Sequence, residues 1–336
     1  IDLQSLIEKR TRNMMQPHLA ERIEKLTRKN IPDGIPAFGT DALRFTFAAM
    51  AATGRDIKFD INRIEGYRNF CNKLWNAARY VLMNTENHDC GLESEVELSA
   101  ADLWITSRLQ ETIKTATSAV ESYRFDHMAQ AIYDFTWNEY CDWYLELSKT
   151  ILNSDSVTEL QKQGTRRTLI VVMENLLRLA HPIIPYITEE IWQRVAPLAG
   201  VEGETIMLQP YPEYNGELVN QQATDDIDWA MAFILGVRRI KAEMDIAPGK
   251  PVPVLLSHAS SEDEQRLEAA RPYINFLAKT ESIELLQAGQ HEPESAIALV
   301  GEMKILIPLA GLIDKDAELT RLQKEIDKLE KETARL

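Results

Sequence analysis

Apolar residues recur at three- and four-residue spacing through most of residues 1–200, the period of helices that bury one face. Residues 3–30 read as two basic helices separated near Pro17, and the Pro/Gly-rich stretch 31–39 as a linker. Residues 41–52 predict a helix, Gly54 a turn, and 62–84 a long helix whose Ile64, Tyr67, Cys71, Leu74, Ala78 and Val81 form a single stripe facing a core. A polar segment, 85–97, leads to a helix opened by Ser99 as N-cap, with Asp102 in the reciprocal capping position. Helices at about 99–122, 126–150, 157–180 and 187–198 follow, joined by short polar turns. The fold class expected is mainly α, an antiparallel helical bundle.

The pattern changes after Gly200. A Pro-rich extended stretch, 207–212, precedes a helix at about 225–244 and β-branched runs at 252–257, 283–286, 296–300 and 304–308, which together predict a small α+β module. Leu319, Leu322, Ile326, Leu329 and Leu336 then trace a heptad seam interrupted at Thr333, the expected first arm of a coiled-coil hairpin. The domain reading is therefore 1–60, 61–200, 201–312 and 313–336.

Composition narrows the class. With 336 residues, 45% hydrophobic and 26% charged, the chain has the make-up of an ordinary globular protein. No apolar run reaches bilayer length and no signal peptide opens the chain, so a cytoplasmic location without membrane contact is expected. Three separated cysteines, Cys71, Cys90 and Cys141, predict reduced and mostly buried thiols rather than a metal or disulfide framework. The start at Ile1 and the stop at Leu336 within a helical repeat are read as cuts, so function is sought for a fragment.

A net charge of −15 opposes indiscriminate phosphate binding but leaves room for local basic faces. Phosphate-cradling glycine loops, metal-binding His-Glu-x-x-His pairs and nucleophile elbows are absent from the sequence. His127, His181 and the Glu189–Glu190 pair have structural explanations, and neither catalytic nor metal residues are assigned. The more informative feature is one face of the 62–84 helix, where Arg68, Asn69, Asn72, Lys73, Asn76 and Arg79 gather opposite the apolar stripe. Amides and cations together suit the base edges and phosphates of unpaired RNA, although a solvated helix face would look the same. Tyr133, Trp137, Tyr140 and Tyr144 form a second stripe. Three of these rings are expected in the core, leaving Asn138, Asp142 and Lys149 beside them as candidate RNA contacts. Arg238, Arg239, Lys241 and Lys250 surround the 244–248 turn and could follow a nucleic-acid backbone.

Several segments resemble one family in order and spacing. Gly39-Thr40-Asp41-Ala42-Leu43-Arg44-Phe45 followed by Gly54-Arg55-Asp56-Ile57 is similar to the stretch after the Lys-Met-Ser-Lys-Ser loop of class I aminoacyl-tRNA synthetases for branched aliphatic amino acids. Tyr67-Arg68-Asn69-Phe70-Cys71-Asn72-Lys73-Leu74-Trp75-Asn76-Ala77 resembles the helix opening their anticodon-binding domain. Phe135-Thr136-Trp137-Asn138 with Cys141-Asp142-Trp143-Tyr144-Leu145-Glu146, and His181-Pro182 with Pro185-Tyr186-Ile187-Thr188-Glu189-Glu190-Ile191-Trp192, resemble two further bundle signatures. Ile240-Lys241-Ala242-Glu243-Met244, Pro248-Gly249-Lys250, residues 305–309 and the heptads from Glu318 look most like the C-terminal portion of bacterial valyl-tRNA synthetases. An isoleucyl enzyme would be expected to end in a cysteine-rich zinc module, and no cysteine follows Cys141.

The resemblance implies connecting helices at 1–60, an anticodon-binding bundle at 61–200, a junction module at 201–312 and the start of a coiled-coil arm at 313–336. It implies valine tRNA and the parent's own catalytic domain as partners, and a monomer. No cofactor is expected in this fragment, because ATP with magnesium and valine would bind the catalytic domain that precedes it, so the fragment alone is expected to be inactive. The alternatives are an isoleucyl- or leucyl-tRNA synthetase fragment and a helical protein-interaction scaffold.

Overall fold

The computed structural model describes residues 1–52, 60–287 and 290–309, together with Gln323, Ile326, Asp327, Leu329, Glu330 and Thr333. The expected turn at Gly54 and most of the heptad segment lie outside the described residues. The six described positions within that segment are helical. The chain divides into two compact units, Ile1–Leu145 with Val157–Val219, and Glu146–Ser156 with Asn220–Leu336.

The first unit is a helical bundle. Helices α1 (Leu3–Thr11) and α2 (Ala20–Asn30) pair at the N-terminus. Helix α3 (Thr40–Met50) packs on α4 (Ile61–Thr85), where the Phe45 ring meets Tyr67 and Phe70 at centroid distances of 4.7 and 4.9 Å. The apolar stripe of α4 faces inward as its period requires: Ile64, Leu74, Ala78 and Val81 are buried, joined by Phe70 and Ala77. Tyr67 and Cys71, expected on the same buried stripe, lie at its edge and are only half-buried.

Helix α5 (Ala100–Glu121) begins with the predicted reciprocal cap. Ser99 Oγ accepts from the Asp102 backbone N–H, and the Asp102 carboxylate accepts from the Ser99 N–H at 2.9 Å. The next helical run departs from expectation. Where one α-helix at about 126–150 was predicted, α6 (Phe125–Asp134) passes into a π-helical stretch, Phe135–Tyr144, before α7 (Leu145–Leu152). Longer π-helical stretches are uncommon, and the wider turn changes which side chains share a face.

Helix α8 (Glu159–Ala180) opens with a second reciprocal cap, Thr158 with Gln161, and runs through the centre of the unit, where Leu169, Ile170, Met173, Leu176, Leu177 and Leu179 are buried. Helix α9 (Pro185–Leu198) is fixed at its start by α3: the Asp41 carboxylate accepts from the Ile187 N–H at 2.7 Å, where the helix dipole favours an anion. Arg44 donates to the carbonyls of Pro182 and Ile183, both at 2.9 Å, tying the preceding turn to the same helix.

In the second unit α10 (Gln221–Glu243) lies against a four-stranded sheet of order β2-β1-β4-β3. The strands are β1 (Val252–Ser257), β2 (Thr280–Leu285), β3 (Ser295–Val300) and β4 (Met303–Pro308). Strands β1 and β2 are parallel, and such a pair requires a crossover connection. That connection is α11 (Ser261–Ala278), a helix beyond those expected from the sequence pattern. Its signals are nevertheless present: Ser260 and Asp263 form a third reciprocal cap, and Leu267, Ala270, Ile274 and Ala278 give a helical period.

Candidate nucleic-acid interface

Helix α4 presents its polar face to solvent. Asn69, Asn72, Asn76 and Arg79 are exposed, and among the described residues their side chains have no hydrogen-bond partner. Arg68 and Lys73 are half-buried and already engaged. Arg68 pairs with Glu65 at 2.9 Å and lies 5.5 Å from the Phe38 ring centroid. Lys73 Nζ donates to Asp142 at 2.5 Å and lies 3.8 Å from the Trp137 ring centroid. The lysine thus joins α4 to the π-helical stretch, bringing Lys73, Trp137 and Asp142 into one cluster. Exposed Asn138 stands nearby in sequence and donates to Asp134 at 3.3 Å.

The aromatic stripe splits at the π-helical stretch. Tyr140 and Tyr144 are fully buried, donating to Leu169 O at 2.9 Å and to Asp102 at 2.7 Å. Tyr133 and Trp137 stay half-buried and stack with ring centroids 5.6 Å apart and planes 8° from parallel. Two rings, rather than the expected three, are therefore core. Had the α-helix continued, all four would have shared one face; the wider turn sends two inward and leaves two at the surface beside α4.

Burial governs the thiols here. Cys141, one residue from Asp142, is pushed up to about 12 by desolvation, and so is Cys71 on α4. Both are neutral at physiological pH, which removes thiolate chemistry from this surface. Among the described residues no group of three His, Cys, Asp or Glu side chains is placed to hold a metal ion.

In the second unit the four basic candidates separate by environment. Arg239 and Lys250 are exposed. Arg238 is exposed too, but its guanidinium donates twice to Leu277 O, at 3.2 and 3.0 Å. Lys241 is buried, at 2% exposure. Its ammonium donates to the carbonyls of Lys250 at 2.7 Å and Ala278 at 2.8 Å, with longer contacts to Lys279 and Pro248. Lys241 cannot follow a nucleic-acid backbone from there, so its assignment as a contact is corrected: it satisfies carbonyls at the end of α11 and in the 248–250 turn. Lys149 pairs with Glu146 at 2.5 Å.

A small cavity of about 260 Å³ opens beside the α4 face, lined by Arg63, Gly66, Tyr67, Gln130 and Tyr133. Sequence reading missed it because it joins positions from α4 and α6. The available signal was the i, i+4 pair Arg63 and Tyr67 flanking a glycine inside a strong helix.

Residues 102–256 match the family model described as the anticodon-binding domain of tRNA ligase. The match takes in nearly all of α5 to β1, and with them Asn138, Asp142, Lys149, Arg238, Arg239, Lys241 and Lys250; the α4 face precedes the matched stretch in sequence. Among solved structures, the chain is similar to the ternary complex of Agrobacterium radiobacter K84 agnB2 LeuRS with tRNA and LeuAMS, at 17% identity and a TM-score of 0.41. The similarity covers 75% of this chain and 29% of that one, so the chain spans less than a third of that protein's length. No helix among the described residues is long and apolar enough to cross a membrane.

Proposed function

We propose that this chain is the tRNA-recognising C-terminal region of a valine-tRNA ligase, and that it grips valine tRNA while the aminoacylation chemistry is performed by other residues of the parent. The observation that carries the reading is the match of residues 102–256 to the anticodon-binding domain of tRNA ligase. The wet face of α4 and the Lys73, Trp137 and Asp142 cluster support it, because amides, a cation and a half-buried aromatic at the surface suit splayed, unpaired bases. Arg239 and Lys250 supply further cations for phosphate.

The amino acid is assigned from the run Ile240 to Met244 and the Pro248-Gly249-Lys250 turn. In the parent, contacts at the anticodon would set the register that delivers the acceptor end to the ATP- and valine-binding site, turning remote binding energy into orientation. Binding of purified valine, isoleucine and leucine tRNAs across a salt series tests this. A preference for valine tRNA with affinity falling steeply as salt rises is expected. Preference for leucine or isoleucine tRNA would reassign the amino acid, and salt-independent or absent binding would favour a protein-interaction scaffold. Pyrophosphate exchange with ATP and valine is expected to be undetectable for the chain alone.

A further inference from the structure

Helices α10 and α11 end together at the 244–250 turn, around a cavity of about 720 Å³ in the second unit. That volume falls within the roughly 300–1,000 Å³ of sites that enclose small organic ligands. Its wall is largely aliphatic, with Ile246, Pro248 and Leu277. Among the described residues that line it, the cations of Arg238, Lys241 and Lys279 face the single carboxylate of Asp245.

This charge is not neutralised from within. Lys241 is buried, its partners are the carbonyls at the end of α11 and in the turn, and no carboxylate pairs with it among the described residues. Its pKa lies below the ordinary value, through burial first and then through the charges of Lys279 and Arg238, so the three cations repel one another. Asp245 and the carbonyl ends of the two helices offset part of this, each helix end amounting to about half a negative charge. An excess of roughly one positive charge remains, which an anion would relieve.

Both helices leave the cavity through a charged residue in left-handed backbone, Asp245 at φ 51° and Lys279 at φ 53°. Glycine is the ordinary occupant of such helix ends. A lysine held there against its backbone preference sets a cation at the rim, exposed and 4.7 Å from the Phe276 ring. Across from it, Arg238 is fixed at the rim by its two bonds to Leu277 O.

We propose that this cavity is a nucleotide site, with the phosphate between Arg238 and Lys279 and the sugar and base along the aliphatic wall. A guanidinium and an ammonium together suit a phosphate. The wall calls for an attached group with an apolar face, which inorganic phosphate lacks and a nucleotide supplies. The choice of a nucleotide among such anions rests on reading the chain as part of a tRNA ligase, whose substrates offer it as an unpaired residue of tRNA or as a free mononucleotide. The site is separate from the α4 face.

The test titrates the whole chain with adenosine, inorganic phosphate and the four 5′-mononucleotides by calorimetry, and with valine tRNA by fluorescence anisotropy. Two variants separate charge from space. Lys279→Gly removes a rim cation and suits the left-handed backbone, while Ala242→Leu, at an exposed helical position lining the cavity, fills it with a good helix former. Both should melt no lower than the unsubstituted chain. If the site serves a free nucleotide, mononucleotides bind saturably and about tenfold or more tighter than phosphate or adenosine, and each variant weakens them roughly tenfold. If it serves a residue of tRNA, both variants weaken tRNA binding by a similar factor, Ala242→Leu without lowering the salt slope. Either result supports the site. It is overturned by absent mononucleotide binding together with unchanged tRNA affinity in both variants, or by a response to Lys279→Gly alone, which would reduce the cavity to surface charge. Saturable mononucleotide binding by a chain that shows no salt-dependent affinity for tRNA would keep the site and remove the functional reading.

Discussion

The Lys73 ammonium lies 3.8 Å from the centroid of the Trp137 ring while donating to Asp142. This half-buried lysine is held by a partner whose own carboxylate is 51% exposed, so the pair sits where solvent screens it and contributes at most about 1 kcal/mol to stability. The two charges have opposite expected effects on RNA. Lys73→Ala should weaken tRNA binding and lower the slope of log affinity against log salt by about one. Asp142→Asn should leave the fold intact and strengthen binding several-fold, since it removes repulsion of phosphate and frees the lysine. Fluorescence anisotropy over a salt series measures both, and weaker binding by Asp142→Asn would make that carboxylate a direct contact.

Lys241 and Arg239 are two residues apart and separate cleanly by role. Lys241→Met deprives the carbonyls of Lys250 and Ala278 of their donor, and a buried unsatisfied group costs about 1–3 kcal/mol. A loss of about 2–4 kcal/mol of unfolding free energy is therefore expected in urea, with little change in the salt slope of tRNA binding. Arg239→Ala, at an exposed position, should show the reverse: unchanged stability and a slope lowered by about one.

These two residues also show where sequence stops informing. Period and caps are local, so the α4 stripe, the Ser99–Asp102 cap and the four strands could be read before any coordinates. In contrast, Lys241 and Arg239 differ only in the packing that surrounds them, and side-chain type does not reveal which cation turns inward. The π-helical stretch hides for a similar reason, because Tyr133, Trp137, Tyr140 and Tyr144 keep a perfect α-helical spacing that the backbone does not follow. Helix α11 was legible in Ser260 and Asp263 but masked by Pro272, a residue expected to break a helix. The cavity at Gly66 needed two helices to be brought together.

Asp102 gives a pH signature. Its carboxylate is fully buried and accepts from Ser99, from Tyr144 at 2.7 Å and from Thr165 at 2.9 Å. Desolvation raises its pKa from the ordinary 3.8, against the pull of these donors. Between 3.8 and the raised folded value, the unfolded chain ionises while the folded chain keeps its proton. The contribution of Asp102 to stability therefore falls as pH rises through that window, by at most about 1.4 kcal/mol per unit. Asp102→Asn should be less stable overall, having lost acceptors, yet its urea midpoint should fall less over the same pH range. Parallel pH profiles for the two proteins would contradict the burial-driven shift.

Two helical glycines should respond to alanine with opposite signs. At Gly66 the added methyl meets open space, so Gly66→Ala should raise stability by about 1 kcal/mol through helix propensity alone. At Gly164, in α8, the methyl would run into the backbone carbonyl of Glu97, whose own N–H donates to Leu160 O at 3.3 Å on the same helix. Backbone held by such a bond cannot swing aside as a flexible side chain can, and overpacking of this kind costs about 1–3 kcal/mol. Gly164→Ala should therefore be destabilised by about 1–2 kcal/mol after the propensity gain is subtracted, read as a lower urea midpoint at unchanged slope. A stabilised Gly164→Ala would mean that the segment before α5 yields, and that the approach of α8 to Glu97 is not what fixes it.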